Sequence, residues 1–378
     1  MVKILERILI FIMWAVILMS RINDLINKLC PNGVEYKSLD KIVSITTGKL
    51  NANAMVEDGE YAFFTCDAKP FKIDKYAFDG EAILISGNGS QVGHLNYYVG
   101  KFNAYQRTYV LMNFIDSIIP KYLYHYLNAY LKVHIDENSK KGSVPYITLP
   151  MLQGFNVPTP PIEVQEEIVK ILDKFGELEA ELEAELEARK SQYEFWRGEL
   201  FKKKYNECKL QDILTIKNGR DYKHLNEGNV PVYGSGGIMT YVDSFTYDKP
   251  SVLIPRKGSL GNVFYVDKPF WNVDTIYYTE IDESKVIPKY IYYFIQNQHL
   301  DRLNIAGGVP SMTQATLNRL SIMVPSIEEQ NRIVNILDKF DALVNDITAG
   351  IPAEIELRRQ QYEYYRNKLL SFEELCHE

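Results

Sequence analysis

The segment VPYITLPMLQGFNVPTPPIEVQEEIVKILDKF at residues 144–175 decides how this chain is organised, because VPSMTQATLNRLSIMVPSIEEQNRIVNILDKF at 309–340 repeats it with a constant offset of 165. Three more pairs of segments recur in the same order around these two blocks. They are YKSLDKIVSITTGK (36–49) with ECKLQDILTIKNGR (207–220), IIPKYLYHYL (118–127) with VIPKYIYYFI (286–295), and QYEFWRGEL (192–200) with QYEYYRNKL (361–369). Four co-linear matches predict an internal duplication.

Each half contains a strand-rich part followed by a helix. EAILISGNGSQVGHLNYYV (81–99) and PSVLIPRKGSLGNVFYV (250–266) mix β-branched and aromatic residues with glycine, asparagine and proline, as strands and turns do. After Pro161, apolar residues recur every three or four positions, which is typical of a helix with one packed face. We predict a mixed α+β fold with the following boundaries. They are an N-terminal hydrophobic extension at 1–18, globular domains at 19–157 and 205–325, and helices at 158–204 and 326–378.

The two helical segments are expected to pack against each other. Each would otherwise expose its apolar stripe, and antiparallel pairing as a coiled coil buries both stripes and separates the globular domains. About 40 residues at roughly 1.5 Å rise give a rod of about 60 Å. In the second helix we expect a kink or break at Pro352, because proline lacks an N–H and clashes with the preceding turn.

Residues 177–188 repeat ELEA three times. Glutamates four residues apart on a helix repel each other mildly. Two interpretations remain open: a solvated helix face built from good helix formers, or a spacer whose length changes by about 6 Å for each four-residue unit.

The N-terminus carries ILIFIMWAVILM at residues 8–19, which is shorter than the roughly 20 apolar residues of a membrane span. No small-residue cleavage site follows it. Three interpretations remain open: a buried or partner-facing helix, a membrane-associating anchor, or an upstream extension of a protein that starts at Met19.

Composition and charge describe an ordinary globular protein, with 46% apolar and 24% charged residues. The net charge of −7 does not argue against a nucleic-acid partner, because segments 158–204 and 326–378 together carry 23 acidic and 14 basic side chains. The rest of the chain is near neutral. Four widely spaced cysteines argue against a zinc ribbon or a secreted disulfide framework, so the reduced cytoplasm is the expected compartment.

Catalytic and cofactor motifs are missing from the sequence. It contains no G-x-x-x-x-G-K-[ST], no H-E-x-x-H and no G-x-S-x-G. Thr159-Pro160-Pro161-Ile162 lacks both the polar first residue and the terminal aromatic of the amino-methyltransferase motif [DNS]-P-P-[YF]. We therefore expect no catalysis, cofactor or metal in this chain.

From Met19 onward the sequence resembles the specificity (S) subunit of type I restriction-modification systems. The resemblance rests on LPMLQGFNVPTPPIEVQEEIVKILDKF (149–175), the QYEFWR and QYEYYR blocks, GIPAEIELRRQQYEYYRNKLL (350–370) and the ELEA repeats. The similarity of RINDLINKLCPNGVEYKSL (21–39) to RGELFKKKYNECKL (197–210) matches the circular pseudo-symmetry of that family. The run at 1–18 departs from the family pattern.

The resemblance implies a non-catalytic chain with two target-recognition domains, each recognising one half of an asymmetric bipartite DNA site. The helices would set the spacing and dock two modification subunits that carry S-adenosylmethionine. Two motor-nuclease subunits would join with ATP and Mg²⁺, so the assembled complex would be an adenine-N6 DNA methyltransferase and an ATP-dependent endonuclease. No membrane partner is implied.

Amide and basic side chains in the turns are the candidate DNA contacts, because amides suit adenine edges, arginine and lysine suit guanine edges, and basic groups suit phosphates. The candidates are Asn88, Ser90, Gln91, Asn103, Gln106 and Arg107 in the first domain, and Arg256, Lys257, Ser259, Asn262 and Asn272 in the second. Candidate subunit-docking residues are Glu163, Gln165, Glu328 and Gln330. The alternative for each turn residue is an ordinary place at a hairpin tip.

Two other functions remain open at this point. One is a coiled-coil adaptor that holds two protein-binding domains apart. The other is a restriction enzyme with an active site of its own, against which the missing motifs count.

Overall fold

The computed structural model of the chain describes residues 19–138, 146–302 and 311–375. The hydrophobic run at 8–19 lies outside these residues except for Met19. The chain divides into two compact units. The first unit comprises the described residues up to 182 together with 354–375, and the second comprises the described residues of 183–353. Each unit contains both sheets and helices, which confirms the prediction of a mixed α+β fold built from two similar halves.

The first unit is built around a six-stranded sheet with strand order β2-β7-β5-β6-β3-β4, and β1 pairs with β8 outside it. Its strands are β1 Tyr36–Ser38, β2 Ser44–Thr47, β3 Tyr61–Phe64, β4 Phe71–Ile73, β5 Phe78–Ser86, β6 Leu95–Ala104, β7 Thr108–Met112 and β8 Asn156–Pro158. Its helices are α1 over 19–29, α2 Leu39–Ile42, α3 Pro120–Asn138, α4 Leu149–Gln153 and the first part of α5 Ile162–Phe201.

The second unit repeats this plan with its sheet divided in two, of strand orders β10-β16-β13-β14 and β12-β11-β15, while β9 pairs with β17. Its strands are β9 Asn206–Lys209, β10 Leu214–Lys217, β11 Glu227–Gly234, β12 Gly237–Val242, β13 Ser251–Pro255, β14 Phe264–Val266, β15 Trp271–Asn272, β16 Ile276–Ile281 and β17 Ser321–Val324. Its helices are α6 Pro288–Asn297, α7 Gln314–Asn318 and α8 Ile327–Asn345, and α9 Ile351–Leu369 lies mostly in the first unit.

The division of the second sheet has a local cause. The single strand β6 of the first unit corresponds to β14 and β15, which are separated by residues 267–270. Pro269 in this segment has no N–H to donate to a neighbouring strand, so the hydrogen-bond ladder stops there. Both units contain one parallel strand pair at the same place: β3 pairs with β6 in the first unit, and β11 pairs with β15 in the second.

The long helix α5 packs antiparallel to a different helix in each unit. In the first unit the Phe175 ring lies 5.7 Å from that of Tyr365 on α9, and Arg359 Nε is 2.5 Å from Glu179 Oε1. In the second unit Tyr193 stacks on Phe340 of α8 at 6.1 Å. None of the described helices is long and apolar enough to cross a membrane.

The predicted break in the second helical segment is confirmed, since α8 ends at Asn345 and α9 begins at Ile351. Pro352 does not interrupt a helix in its middle. It occupies the first turn of α9, where a backbone N–H has no partner within the helix and its absence costs little.

Gln165 and Gln330, which we predicted as docking residues, are completely buried, and the structure corrects that assignment. The Gln165 side chain accepts a hydrogen bond from Ile119 N at 2.8 Å and donates to the carbonyls of Ser117 and Pro160 at 2.9 and 2.7 Å. Gln330 makes the same three bonds at the repeated positions, with Ile287 N, Lys285 O and Pro325 O. Both amides therefore fasten the start of a long helix to the loop before α3 or α6, and neither can reach a partner.

Replacing Gln165 by leucine should lower the free energy of unfolding of the first unit by about 2–4 kcal/mol, because it leaves the half-buried Ile119 N–H and the buried Pro160 carbonyl without their hydrogen-bond partner. Gln330→Leu should lower the free energy of unfolding of the second unit by a similar amount. Urea unfolding followed by circular dichroism measures the change. Glu163→Gln, two residues away and exposed, is the control and should change stability by less than about 0.5 kcal/mol. Equal stability of Gln165→Leu and wild type would contradict the fastening role.

Asp173 connects α5 to α3 in the first unit. Its carboxylate accepts hydrogen bonds from His125 Nε2 at 3.0 Å and from Lys121 Nζ at 2.6 Å. These two bonds hold the pKa of the Asp173 carboxyl below its ordinary value of 3.8, and the bond from His125 has the larger effect. At the repeated position, Asp338 accepts from Lys289 Nζ and from the hydroxyl of Tyr293.

Stability of the first unit should therefore depend on pH through Asp173. Because its pKa is lowered on folding, the stabilisation is complete above 3.8 and is lost as the pH falls through the lowered value. The difference in urea midpoint between wild type and Asp173→Asn should be largest above about pH 5 and shrink in stronger acid. The exposed Asp116→Asn serves as the control. A difference that stays constant from neutral pH into strong acid would exclude this linkage.

Candidate nucleic-acid interface

In the first unit, turns from separate strands meet at one edge of the sheet and form a surface that we call loop cluster 1 (residues 65–69, 87–94, 105–107 and 146–147). Gly87 N donates to Arg107 O at 2.9 Å, and Ile147 N donates to Gly87 O at 2.8 Å. The thiol of Cys66 donates to Asn88 Oδ1 at 3.1 Å. His94 Nε2 lies 3.2 Å from Ala68 O, so all four segments are tied together by hydrogen bonds.

The second unit builds the same surface, loop cluster 2 (residues 218–220, 235–237, 256–262, 273–275 and 311–314). Arg256 N donates to Thr275 O, and Met312 N donates to Arg256 O, both at 2.8 Å. Asn262 Nδ2 donates to Ser235 O at 3.1 Å, in the place of the His94 contact. A tyrosine hydroxyl closes each cluster, from Tyr109 to Ile147 O at 3.0 Å and from Tyr277 to Met312 O at 3.2 Å.

One glycine shapes the turn in each cluster. Gly89 and Gly258 occupy equivalent positions and have φ angles of 84° and 82°. Side chains with a Cβ disfavour this left-handed conformation, so glycine lets the turn fold back beside its neighbours. The flanking polar side chains are thereby presented on the outside of the turn.

Most of the predicted DNA contacts are brought together by these clusters. Ser90, Gln91, Gln106 and Arg107 are exposed in loop cluster 1, and Asn88 beside them is half-buried. Lys257, Ser259 and Asn262 are exposed in loop cluster 2, and Arg256 is half-buried. The Arg256 guanidinium lies over the Tyr277 ring at 6.0 Å, with Nη1 3.5 Å from Asp274 O. Each of the two loop clusters therefore brings together side chains whose hydrogen-bonding groups can recognise base edges.

Asn103 and Asn272 are placed differently from our prediction, because both are buried in the parallel strand pairs of the sheets. Asn103 donates to Lys75 O and accepts from Ala104 N, both at 2.9 Å. Asn272 donates to Ile276 O at 2.8 Å. The Asn103 amide ties the end of β6 to the segment before β5, and the Asn272 amide bridges the turn after β15. Neither side chain is presented to a ligand.

The docking candidates Glu163 and Glu328 remain predictions. Both are exposed in the first turns of α5 and α8, where carboxylates also favour the helix N-terminus. Their buried neighbours Gln165 and Gln330 are excluded by the contacts described above.

Sequence reasoning missed several polar residues of the clusters. Gln314 Nε2 donates to Asn218 Oδ1 at 3.3 Å, and the exposed Arg220 follows on the same loop. In loop cluster 1 the missed residues include Cys66 and the exposed Lys69. The sequence contained a signal for Arg220. This residue ends the block ECKLQDILTIKNGR, which repeats YKSLDKIVSITTGK and so marks a segment that both halves share.

The two clusters have the chemistry of a binding surface. They present amides, hydroxyls and cations, and within the described ranges no group of three or more His, Cys, Asp or Glu side chains could hold a metal ion. The duplicated fold thus carries two polar loop surfaces that are built in the same way. The family model of the type I restriction modification DNA specificity domain matches residues 22–188 and again 202–357. The chain therefore belongs to this type I specificity family.

Individual relatives agree with this assignment. A putative type I restriction enzyme specificity subunit of Haemophilus influenzae is 29% identical over 375 residues, covering 90% of this chain and 96% of the relative. The EcoR124I/EcoR124II specificity subunit of Escherichia coli is 33% identical over 293 residues, covering 68% of this chain and 72% of the relative.

Solved structures share the fold. The crystal structure of a type I restriction-modification S subunit from M. genitalium has a TM-score of 0.61 at 19% identity and covers 89% of this chain and 96% of its own. A structure from work on assembly and conformational transition of the type I R-M system has a TM-score of 0.62 at 13% identity, covering 89% and 97%.

Proposed function

We propose that this chain is the non-catalytic subunit that gives a type I restriction-modification complex its DNA sequence specificity. Loop cluster 1 recognises one half of a bipartite site in double-stranded DNA, and loop cluster 2 recognises the other half. The chain acts by binding and positioning, and the reactions belong to its partners.

One observation carries the proposal: the same hydrogen-bonded scaffold is built twice with different side chains on it. Arg256 makes the backbone bonds that Gly87 makes in the first unit, and Lys257 stands where Asn88 stands. An asparagine amide suits an adenine edge, whereas arginine and lysine suit guanine. Two surfaces that share a backbone scaffold but carry different hydrogen-bonding side chains are suited to two different half-sites.

Membership of the family supports a proposal for the partners. Helices α5, α8 and α9 set the separation of the half-sites and, with Glu163 and Glu328 as candidate contacts, dock two modification subunits that bring S-adenosylmethionine. Two motor-nuclease subunits complete the complex with ATP and Mg²⁺. The assembled complex is then an adenine-N6 methyltransferase and an ATP-dependent endonuclease.

The test is genome-wide mapping of N6-methyladenine in the source cell with and without this gene. We expect a bipartite motif whose methylation disappears on deletion and returns when the gene is restored. An unchanged methylation pattern in cells that express intact modification subunits would contradict the proposal. The adaptor hypothesis would then be favoured, and weak, salt-insensitive binding of duplex DNA by the complex would support it.

A further inference from the structure

A polar cavity of about 180 Å³ lies in the second unit, between the end of α5, the end of α6 and the segment 260–263. It is smaller than the roughly 300–1,000 Å³ sites of drug-sized ligands, and it has room for several water molecules at about 30 Å³ each. Glu194, Gly261 and Asp301 of its lining are exposed, so the cavity opens to solvent. Its size and access therefore suit a small molecule.

Arg197 of α5 lines this cavity with a charge that the chain does not neutralise. Its side chain is only 8% exposed, and the guanidinium lies over the Tyr193 ring at 5.1 Å. Among the described residues, Arg197 Nε has no hydrogen-bond partner and no carboxylate forms an ion pair with the guanidinium. A buried cation is costly without acceptors for its N–H groups. Arg197 therefore needs an acceptor from outside the described chain.

The repeated arginine of the first unit, Arg366, has an acceptor of its own. It lies over the Tyr362 ring at 5.5 Å, in the same arrangement. Its Nε and Nη2 atoms lie 3.3 and 3.2 Å from Asn367 Oδ1. The second unit has Gly198 at the position of Asn367, and a Cβ added there would meet nothing within 4 Å. The second unit thus keeps the arginine and its aromatic partner but lacks the amide acceptor.

Other groups of the cavity require a donor and a positive charge. Gln296 Nε2 donates to the Tyr292 hydroxyl at 2.6 Å, while its buried Oε1 has no donor among the described residues. Glu194 and Asp301 place two carboxylates at the mouth. These carboxylates repel a simple anion such as phosphate. A molecule that satisfies the whole site carries an oxyanion for Arg197 and an N–H donor with a positive charge.

One wall of the cavity is aliphatic. It consists of four buried side chains, which are Leu260, Val263, Ile295 and Leu300. Burying a small apolar group against such a wall is favourable because apolar surface leaves water. The wall therefore accepts a short aliphatic group beside the charged ends of the ligand.

We propose that this cavity binds a free α-amino acid with a short aliphatic side chain. The carboxylate of the amino acid pairs with Arg197, and its side chain packs on the aliphatic wall. The ammonium group donates to Gln296 Oε1 and faces the carboxylates of Glu194 and Asp301. Because Leu260 belongs to loop cluster 2, the bound amino acid supports the turn of that cluster from the inside. The binding stands without the DNA-recognition proposal and can fail independently of it.

The test is isothermal titration calorimetry of the full-length chain with L-valine and with two molecules that each lack one of its charged groups. Isovalerate lacks the ammonium group, and isobutylamine lacks the carboxylate. L-valine should bind at least about tenfold tighter than either, because each charged group makes a hydrogen bond with a buried partner that is otherwise unpaired.

Matched variants locate the site. Arg197→Met removes the partner of the carboxylate and should weaken valine binding at least about tenfold. Arg366→Met, the same substitution in the first unit, is the control and should leave it unchanged. Gly198→Asn keeps Arg197 and gives it the acceptor that the first unit has, so it should also weaken valine binding. Circular dichroism verifies that each variant is folded.

The proposal is overturned if L-valine does not bind at millimolar concentration, because ordered water then satisfies Arg197. It is overturned as well if isovalerate or inorganic phosphate binds as tightly as L-valine, because the site then accepts any oxyanion. Unchanged valine binding by folded Arg197→Met or Gly198→Asn would show that the amino acid binds elsewhere.

Discussion

Insertion of one further ELEA unit after Ala188 is expected to lengthen the gap of the recognised DNA site by about two base pairs and to leave both half-sites unchanged. Four residues add about 6 Å to a helix, and a base pair of B-DNA rises about 3.4 Å. On the proposed function, the methylated sequence in the cell would change completely, since sites with the original spacing would no longer be modified.

The structure explains why such an insertion should be tolerated. Phe175, which contacts α9, precedes the ELEA repeats, and Tyr193, which contacts α8, follows them. Four residues rotate a helix by about 400°, which is about 40° beyond one full turn. The apolar stripe therefore stays close to its original face on both sides of the insertion.

Methylome sequencing of cells that carry the longer chain measures the new gap. Glu181→Gln, which changes the charge of the repeat without its length, is the control and should keep the original gap. Unchanged spacing in the longer chain would exclude the spacer interpretation of ELEA and leave the solvated helix face.

The helical parts could be predicted from the sequence because their signals are local. A repeat of apolar residues every three or four positions identified the helix that the structure shows at Ile162–Phe201. Pro352 marked the break before α9, because a proline is tolerated only in the first turn. The duplication then transferred each local conclusion from one half to the other.

The burial of single polar residues could not be predicted, because it depends on distant strands. Gln165 is buried since its partners, Ser117 and Ile119, lie more than 40 positions away along the chain. Asn103 resembled an exposed turn residue, and only the parallel pairing of β6 with β3 shows that it is inside the sheet. An amide that fastens two loops and an amide that contacts DNA have the same sequence signature.

Replacing Arg256 by alanine is expected to change recognition of one half-site only. A bidentate arginine–guanine pair contributes about 1–3 kcal/mol of discrimination, so methylation at the normal site should fall by about ten- to a hundredfold. Alternatively, the half-site assigned to loop cluster 2 should accept other bases at one position. The fold should be preserved, since among the described residues the half-buried Arg256 side chain has a 3.5 Å contact to Asp274 O and a contact with the Tyr277 ring, and no ion pair.

Arg107→Ala provides the mirror experiment in the first unit. Arg107 is exposed, and its carbonyl accepts the hydrogen bond from Gly87 N that holds loop cluster 1 together. Alanine keeps this backbone bond and removes the guanidinium, so recognition of the other half-site should change. Methylome sequencing of both variants separates the two effects. If each variant affected both half-sites equally, or neither changed the motif, the assignment of one half-site to each loop cluster would be wrong.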